Sequence, residues 1–187
     1  MKIIETNFKD LLIIELDKYI DERGFFTERY SFDKFLQFGL SDKFVQDNFS
    51  RSKSNVIRGL HYQYDQPQGK LVGCTRGLII DVVIDIRVNS KTFGQHFSIE
   101  LSDENNRLLW IPAGFAHGFC VPDNVAVADV MYKVNSNYNP AGEGGILWND
   151  EKVAINWGKY GVKKPVVSPK DQILPSFEAY QKNPKFF

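Results

Sequence analysis

The chain has 187 residues, and its 23 Lys and Arg balance 23 Asp and Glu to a formal net charge of zero. A length of this order is typical of one domain with a substantial core, so we predict a single domain over residues 1–187. A general nucleic-acid binder would show a basic excess. No apolar stretch is long enough to span a membrane, so the composition argues against both nucleic-acid and membrane partners.

Cys74 and Cys120 are the two cysteines, and they lie far apart in apolar stretches without a Cys-x-x-Cys spacing. Buried free thiols fit this pattern better than a disulfide does, and they indicate a reducing compartment. At the N-terminus, Lys2, Glu5 and Lys9 interrupt the apolar residues that a signal peptide would need. We therefore predict a cytoplasmic protein.

Short apolar runs of strand type dominate the chain. The predicted strands cover residues 11–16, 43–47, 55–62, 71–75, 78–87, 96–101, 108–111, 118–121 and 125–134. Turn residues separate these runs at regular intervals, which is typical of an all-β sandwich or barrel. Arg76 and Gly77 predict a tight hairpin between the two strands that they join.

One segment, 31–39, departs from the strand pattern. Ser31 is a candidate N-cap, the aromatic and leucine residues that follow have helical spacing, and Gly39 ends the run. This segment predicts one short helix. After Asn139 proline and glycine residues break the periodicity, and we expect loops there.

The last predicted strand, 125–134, carries small residues on one face. Side chains alternate along a strand, so Ala126, Ala128, Val130 and Tyr132 share a side. Such a face would leave room for a ligand below a phenol, or it would simply fit the tapering interior of a barrel. From these residues alone the second interpretation is favoured.

The chain has only three histidines, His61, His96 and His117. A metal-binding β-barrel needs about three histidines and a carboxylate, with the first two histidines close together on one strand. The segment 58–63 has a tyrosine and a glutamine where such ligands would stand, which argues against a metal. The segment 111–119 frames His117 with proline, glycines and aromatic rings, and this frame suits either a structural turn or a positioned polar group.

His61 has unusual neighbours. Arg58 and Lys70 lie close to it in sequence, and Gly59 and Gly69 would allow a ligand or a strand to approach. Buried charges need partners, so the cluster favours a ligand pocket, whereas a lone histidine would be interpreted as a core residue. A strict period of two puts Arg58 and His61 on opposite faces. A shared pocket therefore requires a β-bulge near Gly59.

Nine short motifs occur in register over nearly the whole chain. They are DERGFF (21–26), VQDN (45–48), RGLHYQ (58–63), QGKLV (68–72), DIR (85–87), IP with HGF (111–119), YK (132–133), ILWND (146–150) and SPKD (168–171). In order and spacing they resemble the dTDP-4-dehydrorhamnose 3,5-epimerase family. The resemblance implies an all-β double-stranded β-helix (jelly-roll, cupin-like) with short peripheral helices, and a homodimer with exchanged N-terminal segments. It implies neither a metal nor another cofactor.

The resemblance also implies a reaction and the residues that perform it. Members of the family epimerise dTDP-4-dehydro-6-deoxy-D-glucose at C3 and C5, giving dTDP-4-dehydro-L-rhamnose. By the match, His61 is the base, Asp171 pairs with it, Lys70 stabilises the enolate oxygen and Tyr132 is the acid on the opposite face. An imidazole, with an unperturbed pKa of roughly 6.5, suits a base at neutral pH. Asp85 is either a further carboxylate of this set or only a partner of its neighbour Arg87.

The match assigns a larger set of residues to the nucleotide-sugar substrate. These are Arg23, Glu28, Gln46, Asp47, Asn48, Arg58, Lys70, His117, Tyr138, Glu143 and Lys170. Arg23, Arg58 and Lys170 suit a diphosphate. Because family dimers exchange N-terminal segments, Arg23 and Glu28 are expected to serve the neighbouring subunit's site.

Three alternatives remain open from the sequence. Gly73 stands where a basic residue often follows Lys-Leu-Val, and the segment 120–124 is less typical of the family, so a single-centre epimerase on a related 4-keto sugar is the first. A non-catalytic sugar- or nucleotide-binding jelly roll is the second, but binding alone does not need an acid–base set. The third, a metal-dependent cupin, is opposed by the shortage of histidines.

Overall fold

The computed structural model describes residues 1–40 and 43–187. In these residues the chain forms fourteen β-strands and two short α-helices. The helices are α1 (Phe32–Gln37) and α2 (Phe177–Lys182). The strands are β1 (Lys2–Glu5), β2 (Leu12–Glu15), β3 (Tyr19–Asp21), β4 (Gly24–Phe26), β5 (Gln46–Lys53), β6 (Val56–Gln63), β7 (Lys70–Arg76), β8 (Leu78–Asp85), β9 (His96–Ser102), β10 (Arg107–Ile111), β11 (Phe115–Cys120), β12 (Val127–Val134), β13 (Glu143–Gly145) and β14 (Val166–Val167).

Two sheets face each other around the core. The first sheet has the strand order β1-β2-β10-β7-β12-β5, and the second has the order β13-β6-β11-β8-β9, with β14 pairing with β6. Strands β3 and β4 form a separate hairpin. Val72 and Val130 from the first sheet meet Val83 and Phe119 from the second in one buried cluster. This is a jelly roll, and the predicted all-β fold is confirmed.

The junction at Gly77 differs from the prediction. Strand β7 belongs to the first sheet and β8 to the second, so the chain crosses between sheets here and forms no hairpin. Gly77 has a φ of +72°, and a Cβ at this position would collide with the carbonyl oxygen of Val127. A glycine at a tight corner serves a crossover as well as a hairpin. The hairpin prediction was wrong because the residues at the corner do not determine which strands pair.

Strand β12 carries the predicted small face, with one correction. Ala128 and Val130 are fully buried between the sheets, and Tyr132 packs against the same cluster. The strand begins only at Val127, however, and Ala126 is an exposed residue before it. The neighbouring strand β5 also begins later than predicted and runs on to Lys53.

Both helices cover the outer faces of the sheets. Helix α1 confirms the predicted helix, and Phe35 from it is buried against Leu71 and Trp110 of the first sheet. Helix α2 was not predicted; it lies in the segment that we expected to be loops. Phe177 and Tyr180 from α2 are buried against the second sheet. Their burial anchors the C-terminal segment to the second sheet.

Candidate active site

A cavity of about 470 Å³ opens between the two sheets. The first sheet lines it with Lys70 and Tyr132, and the second with His61 and His117. The C-terminal segment closes one side through residues 166–171. An adjoining cavity of about 250 Å³ shares His61, Lys70 and Tyr132, so the two form neighbouring lobes of one groove.

A bulge in β6 turns Arg58 and His61 into the same cavity. On the neighbouring strand β11, Phe119 pairs with Arg58 and His117 pairs with His61. Strand β6 therefore contains one extra residue between these two pairs. Gly59 in the bulge has a φ of +114°, and a Cβ there would lie 2.7 Å from the carbonyl oxygen of His117. Only glycine fits this position without strain. The predicted bulge is confirmed.

His61 and Asp171 form a hydrogen-bonded pair across 110 sequence positions. The ring Nε2 of His61 lies 2.7 Å from Oδ1 of Asp171, while Oδ2 accepts from the Gly59 amide at 3.2 Å. Burial alone would raise the pKa of Asp171, but these bonds and one with Ser168 outweigh it, and the pKa lies below its ordinary value. The carboxylate therefore fixes the proton on Nε2, and Nδ1 is left to accept another.

Lys70 brings a half-buried cation to the groove. Its ammonium donates a hydrogen bond to the carbonyl oxygen of His61 at 3.3 Å. Burial lowers the pKa of Lys70 to about 8, against the opposing effect of the carboxylates of Asp81 and Glu143. A proton on this amine is therefore held loosely, and an oxygen that gains negative charge in the groove would meet a poorly hydrated donor.

Tyr132 faces His61 from the opposite sheet. Burial raises the pKa of its phenol, Arg58 opposes the shift and Glu143 adds to it. The phenol is therefore protonated at neutral pH and has a proton to donate. Arg58 itself is held by a bond from its Nε to the hydroxyl of Ser52 at 2.9 Å.

The smaller lobe is lined by a chain of polar side chains. Nε2 of Gln46 donates to Oδ1 of Asn48 at 2.8 Å, and Oε1 of Gln46 accepts from the Tyr138 amide at 3.2 Å. The hydroxyl of Tyr138 and the ammonium of Lys170 both reach Oε2 of Glu143, at 2.8 and 2.6 Å. Burial would raise the pKa of Glu143, but these two donors hold it below its ordinary value.

Three of the predicted site residues lie away from this chain's own groove. Arg23 is in the exposed turn between β3 and β4, and Glu28 pairs with Lys34 at 2.8 Å on the surface. Asp47 points to the other face of β5, since side chains alternate along a strand, and it bonds Lys133 at 2.9 Å. Their contacts with a ligand stay predictions.

Asp81 is a residue of the site that the sequence reasoning missed. It is fully buried, and Oδ2 lies 2.9 Å from Nε2 of His117. The sequence could have indicated it, because Asp81 is a charged residue inside the apolar run 78–86. Asp85 from the same strand is instead structural, because Arg87 and Thr92 donate to it at 2.8 and 2.6 Å.

Across residues 1–40 and 43–187, no group of three or more His, Cys, Asp or Glu is placed to hold a metal ion. In the same residues, no helix combines the length and apolar character needed to cross a membrane.

The fold is a jelly roll of the double-stranded β-helix class, and its cavity is lined by a histidine of one sheet and a tyrosine of the other. A family model described as dTDP-4-dehydrorhamnose 3,5-epimerase matches residues 5–179. The enzyme of that name from Salmonella typhimurium is 48% identical over 177 residues, which cover 94% of each chain. The chain belongs to the dTDP-4-dehydrorhamnose 3,5-epimerase family, so the family and the enzyme class predicted from the motifs are confirmed.

Solved structures of epimerases have the same fold as this chain. The dTDP-6-deoxy-D-glucose-3,5-epimerase of Legionella pneumophila Philadelphia 1, in complex with dTDP-4-keto-L-rhamnose, has a TM-score of 0.89 and 46% identity, covering 95% of this chain and 93% of that one. A 4-keto-6-deoxy sugar epimerase from the novobiocin biosynthetic gene cluster of Streptomyces spheroides has a TM-score of 0.90 and 31% identity, covering 97% and 90%.

Proposed function

We propose that the chain epimerises dTDP-4-dehydro-6-deoxy-D-glucose at C3 and C5, giving dTDP-4-dehydro-L-rhamnose. The observation that carries this proposal is that His61 and Tyr132 line one cavity from opposite sheets. A sugar ring bound between them would present its two faces to a base and to an acid. The ligand of the Legionella pneumophila relative, dTDP-4-keto-L-rhamnose, supports this choice of product.

The first step is proton removal beside the ketone. The carbons C3 and C5 flank the C4 carbonyl, so their C–H bonds are weakly acidic and loss of a proton gives an enolate. Nδ1 of His61 takes the proton and its ring becomes an imidazolium. Asp171, 2.7 Å from Nε2, stabilises that cation and keeps the ring oriented.

The enolate needs a donor at its oxygen. Lys70 lies beside His61 in both lobes of the groove, and its ammonium is placed to bond the C4 oxygen as charge develops. One such preorganised donor is worth about 3–4 kcal/mol of transition-state stabilisation.

Inversion requires a new proton from the other face of the ring. Tyr132 donates it from the first sheet, and its phenol is available because its pKa is raised by burial. The enolate carbon takes this proton and the C4 ketone re-forms. The Tyr132 phenolate then regains a proton from water, and the His61 imidazolium loses one to water, so the enzyme returns to its starting state.

The remaining polar residues bind the rest of the substrate. Arg58 and Lys170, from the larger lobe, neutralise the diphosphate. Gln46, Asn48 and the half-exposed ring of Tyr138 in the smaller lobe suit the polar edge and the flat face of a nucleotide base. The other proposed contacts are His117 and Glu143 in this subunit, and Arg23 and Glu28 from the neighbour, whereas Asp47 faces away from the groove and pairs with Lys133.

A homodimer with exchanged N-terminal segments completes the site. The hairpin of β3 and β4 carries apolar side chains into solvent, with Ile20 77% and Phe26 68% exposed. Exposed apolar patches of this kind mark contact surfaces. Arg23 sits at the tip of the hairpin, and it reaches the diphosphate in the neighbouring subunit.

We propose that the chain works as one domain in the cytoplasm. The two sheets bury their inner faces in a common cluster, and α2 packs on the second sheet. Cys74 and Cys120 are buried free thiols, which supports a reducing compartment.

The function is tested by isotope exchange. The protein is incubated with dTDP-4-dehydro-6-deoxy-D-glucose in D₂O with chelator present, and deuterium incorporation is monitored by NMR. Deuterium should appear at both C3 and C5 of the inverted product. Label at one carbon alone would replace the proposal with the single-centre epimerase. Absence of label at both carbons would contradict epimerisation of this substrate.

Segment exchange is tested by mixing two impaired variants. Arg23→Ala should lower kcat/KM by about 10- to 100-fold, the worth of a charged hydrogen bond, and His61→Ala should be inactive. In a mixed dimer, the site with an intact His61 receives an intact Arg23 from its neighbour. Co-refolding the two variants should therefore restore activity, whereas no gain would show that Arg23 does not act across the dimer.

A further inference from the structure

Arg58 brings an unpaired cation to the larger lobe of the groove. Its side chain comes from β6 of the second sheet and is exposed. Within residues 1–40 and 43–187, the guanidinium bonds only neutral acceptors, and no carboxylate pairs with it. A guanidinium in this state suits an anionic ligand, and the proposed function assigns it the diphosphate.

Two neutral acceptors on β5 hold the guanidinium of Arg58. Its Nε donates to Oγ of Ser52 at 2.9 Å, and its Nη2 donates to the carbonyl oxygen of Arg51 at 3.2 Å. Both acceptors belong to the first sheet, so the side chain reaches across from one sheet to the other. A guanidinium has five N–H donors in a planar fork. These two bonds fix the plane of the fork and leave the N–H groups of Nη1 and one of Nη2 for a ligand.

Strand β5 keeps both acceptors in place. Ser52 is buried, with 3% of its surface exposed. It has the same parity along the strand as Asn48 and Ser50, which line the groove. The side chain of Arg51 points to the other face, where Nε and Nη2 each donate to the carboxylate of Asp129 at 2.7 Å. Asp129 lies opposite Arg51 on β12, so the backbone that carries the two acceptors is anchored to the sheet.

We infer that Ser52 is a positioning residue that holds Arg58 in the orientation in which it binds the diphosphate. The inference rests on the proposed function for the identity of that anion. A long side chain that must be ordered on binding weakens the affinity for a ligand, whereas a side chain already ordered in the free protein avoids this loss. In the described part of the chain Ser52 itself lines neither lobe, so it acts through Arg58.

The inference is tested by the affinity for dTDP, measured by isothermal titration calorimetry. Ser52→Ala should weaken dTDP binding by about 3- to 10-fold, because Arg58 loses the acceptor at its Nε and is no longer held in one orientation. If Ser52→Ala does not fold, Ser52→Cys takes its place, since a thiol has a similar shape but is a weaker acceptor. Binding of dTDP at the wild-type affinity would overturn the inference.

A double-mutant cycle distinguishes positioning from a general structural role. Arg58→Ala should itself weaken dTDP binding, and adding Ser52→Ala to it should cause no further loss, because Ser52 acts through Arg58. Additive losses would overturn the inference. Ser98→Ala is the matched control, since Ser98 accepts a hydrogen bond from Tyr160 at 2.8 Å and lies on the edge strand β9; its dTDP affinity should equal that of the wild type.

Turnover of the sugar substrate gives a second readout. Ser52→Ala should raise KM and leave kcat unchanged, because the groups proposed for proton transfer are intact; a fall in kcat at unchanged KM would overturn the inference. The dTDP measurement also separates this inference from the proposed function. A non-additive loss of dTDP affinity supports the role of Ser52 even if no deuterium exchange is found. Unchanged dTDP affinity in Arg58→Ala would overturn that role even if both centres are epimerised.

Discussion

Replacing His61 with alanine should lower the rate of deuterium incorporation at C3 and C5 by about 10⁴-fold, the upper end of the range for a positioned base. The variant keeps Lys70 and Tyr132 but has no group to take the proton from carbon. Exchange is measured by NMR in D₂O at saturating substrate, so that weaker binding does not mimic a chemical defect. Substantial residual exchange would rule out His61 as the base.

His96 provides the matched control for this substitution. It lies on β9, the edge strand of the second sheet, and lines neither lobe of the groove. His96→Ala should exchange deuterium at the wild-type rate. A thermal unfolding curve for each variant shows whether the loss in His61→Ala reflects chemistry or folding.

Replacing Tyr132 with phenylalanine should separate exchange from inversion. His61 still removes the proton and returns a deuteron to the same face, so labelled starting sugar should accumulate. Completed inversion should slow by about 10²- to 10⁴-fold, because the face opposite the base has lost its acid. Comparing label in recovered substrate with label in product measures the difference.

The matching control is Tyr160→Phe. Tyr160 packs with the cluster outside the second sheet and donates its hydroxyl to Ser98 at 2.8 Å, so both rates should be unchanged. Equal loss of exchange and inversion in Tyr132→Phe would argue against an acid on the opposite face. That result would indicate that Tyr132 contributes to substrate binding and not to proton transfer.

Particular residues show how far the sequence determines this site. The strand period conflicted with a shared pocket for Arg58 and His61, and that conflict correctly predicted the bulge at Gly59. The roles of His61, Lys70 and Tyr132 were predicted from the resemblance of their motifs to those of the family. Asp171 was paired with His61 by family resemblance alone, and the fold brings the two within 2.7 Å.

Asp81 shows why the remainder of the site could not be predicted. An aspartate in an apolar run is unusual, but its position does not say which groups face it. Its hydrogen-bond partner comes from another strand, since His117 lies on β11 of the same sheet. The missed helix α2 is a similar case, because burial of Phe177 and Tyr180 against the second sheet outweighs weak local signals.

By itself the sequence determined the strand-rich class, the bulge at Gly59 and the residue types for proton transfer, because alternation and side-chain chemistry are local properties. Only the tertiary structure decided that the chain crosses between sheets at Gly77, and that the carboxylate of Asp81 bonds His117. Strand pairing and the contacts of a buried charge both depend on which apolar faces pack together. These faces come from segments far apart in the chain.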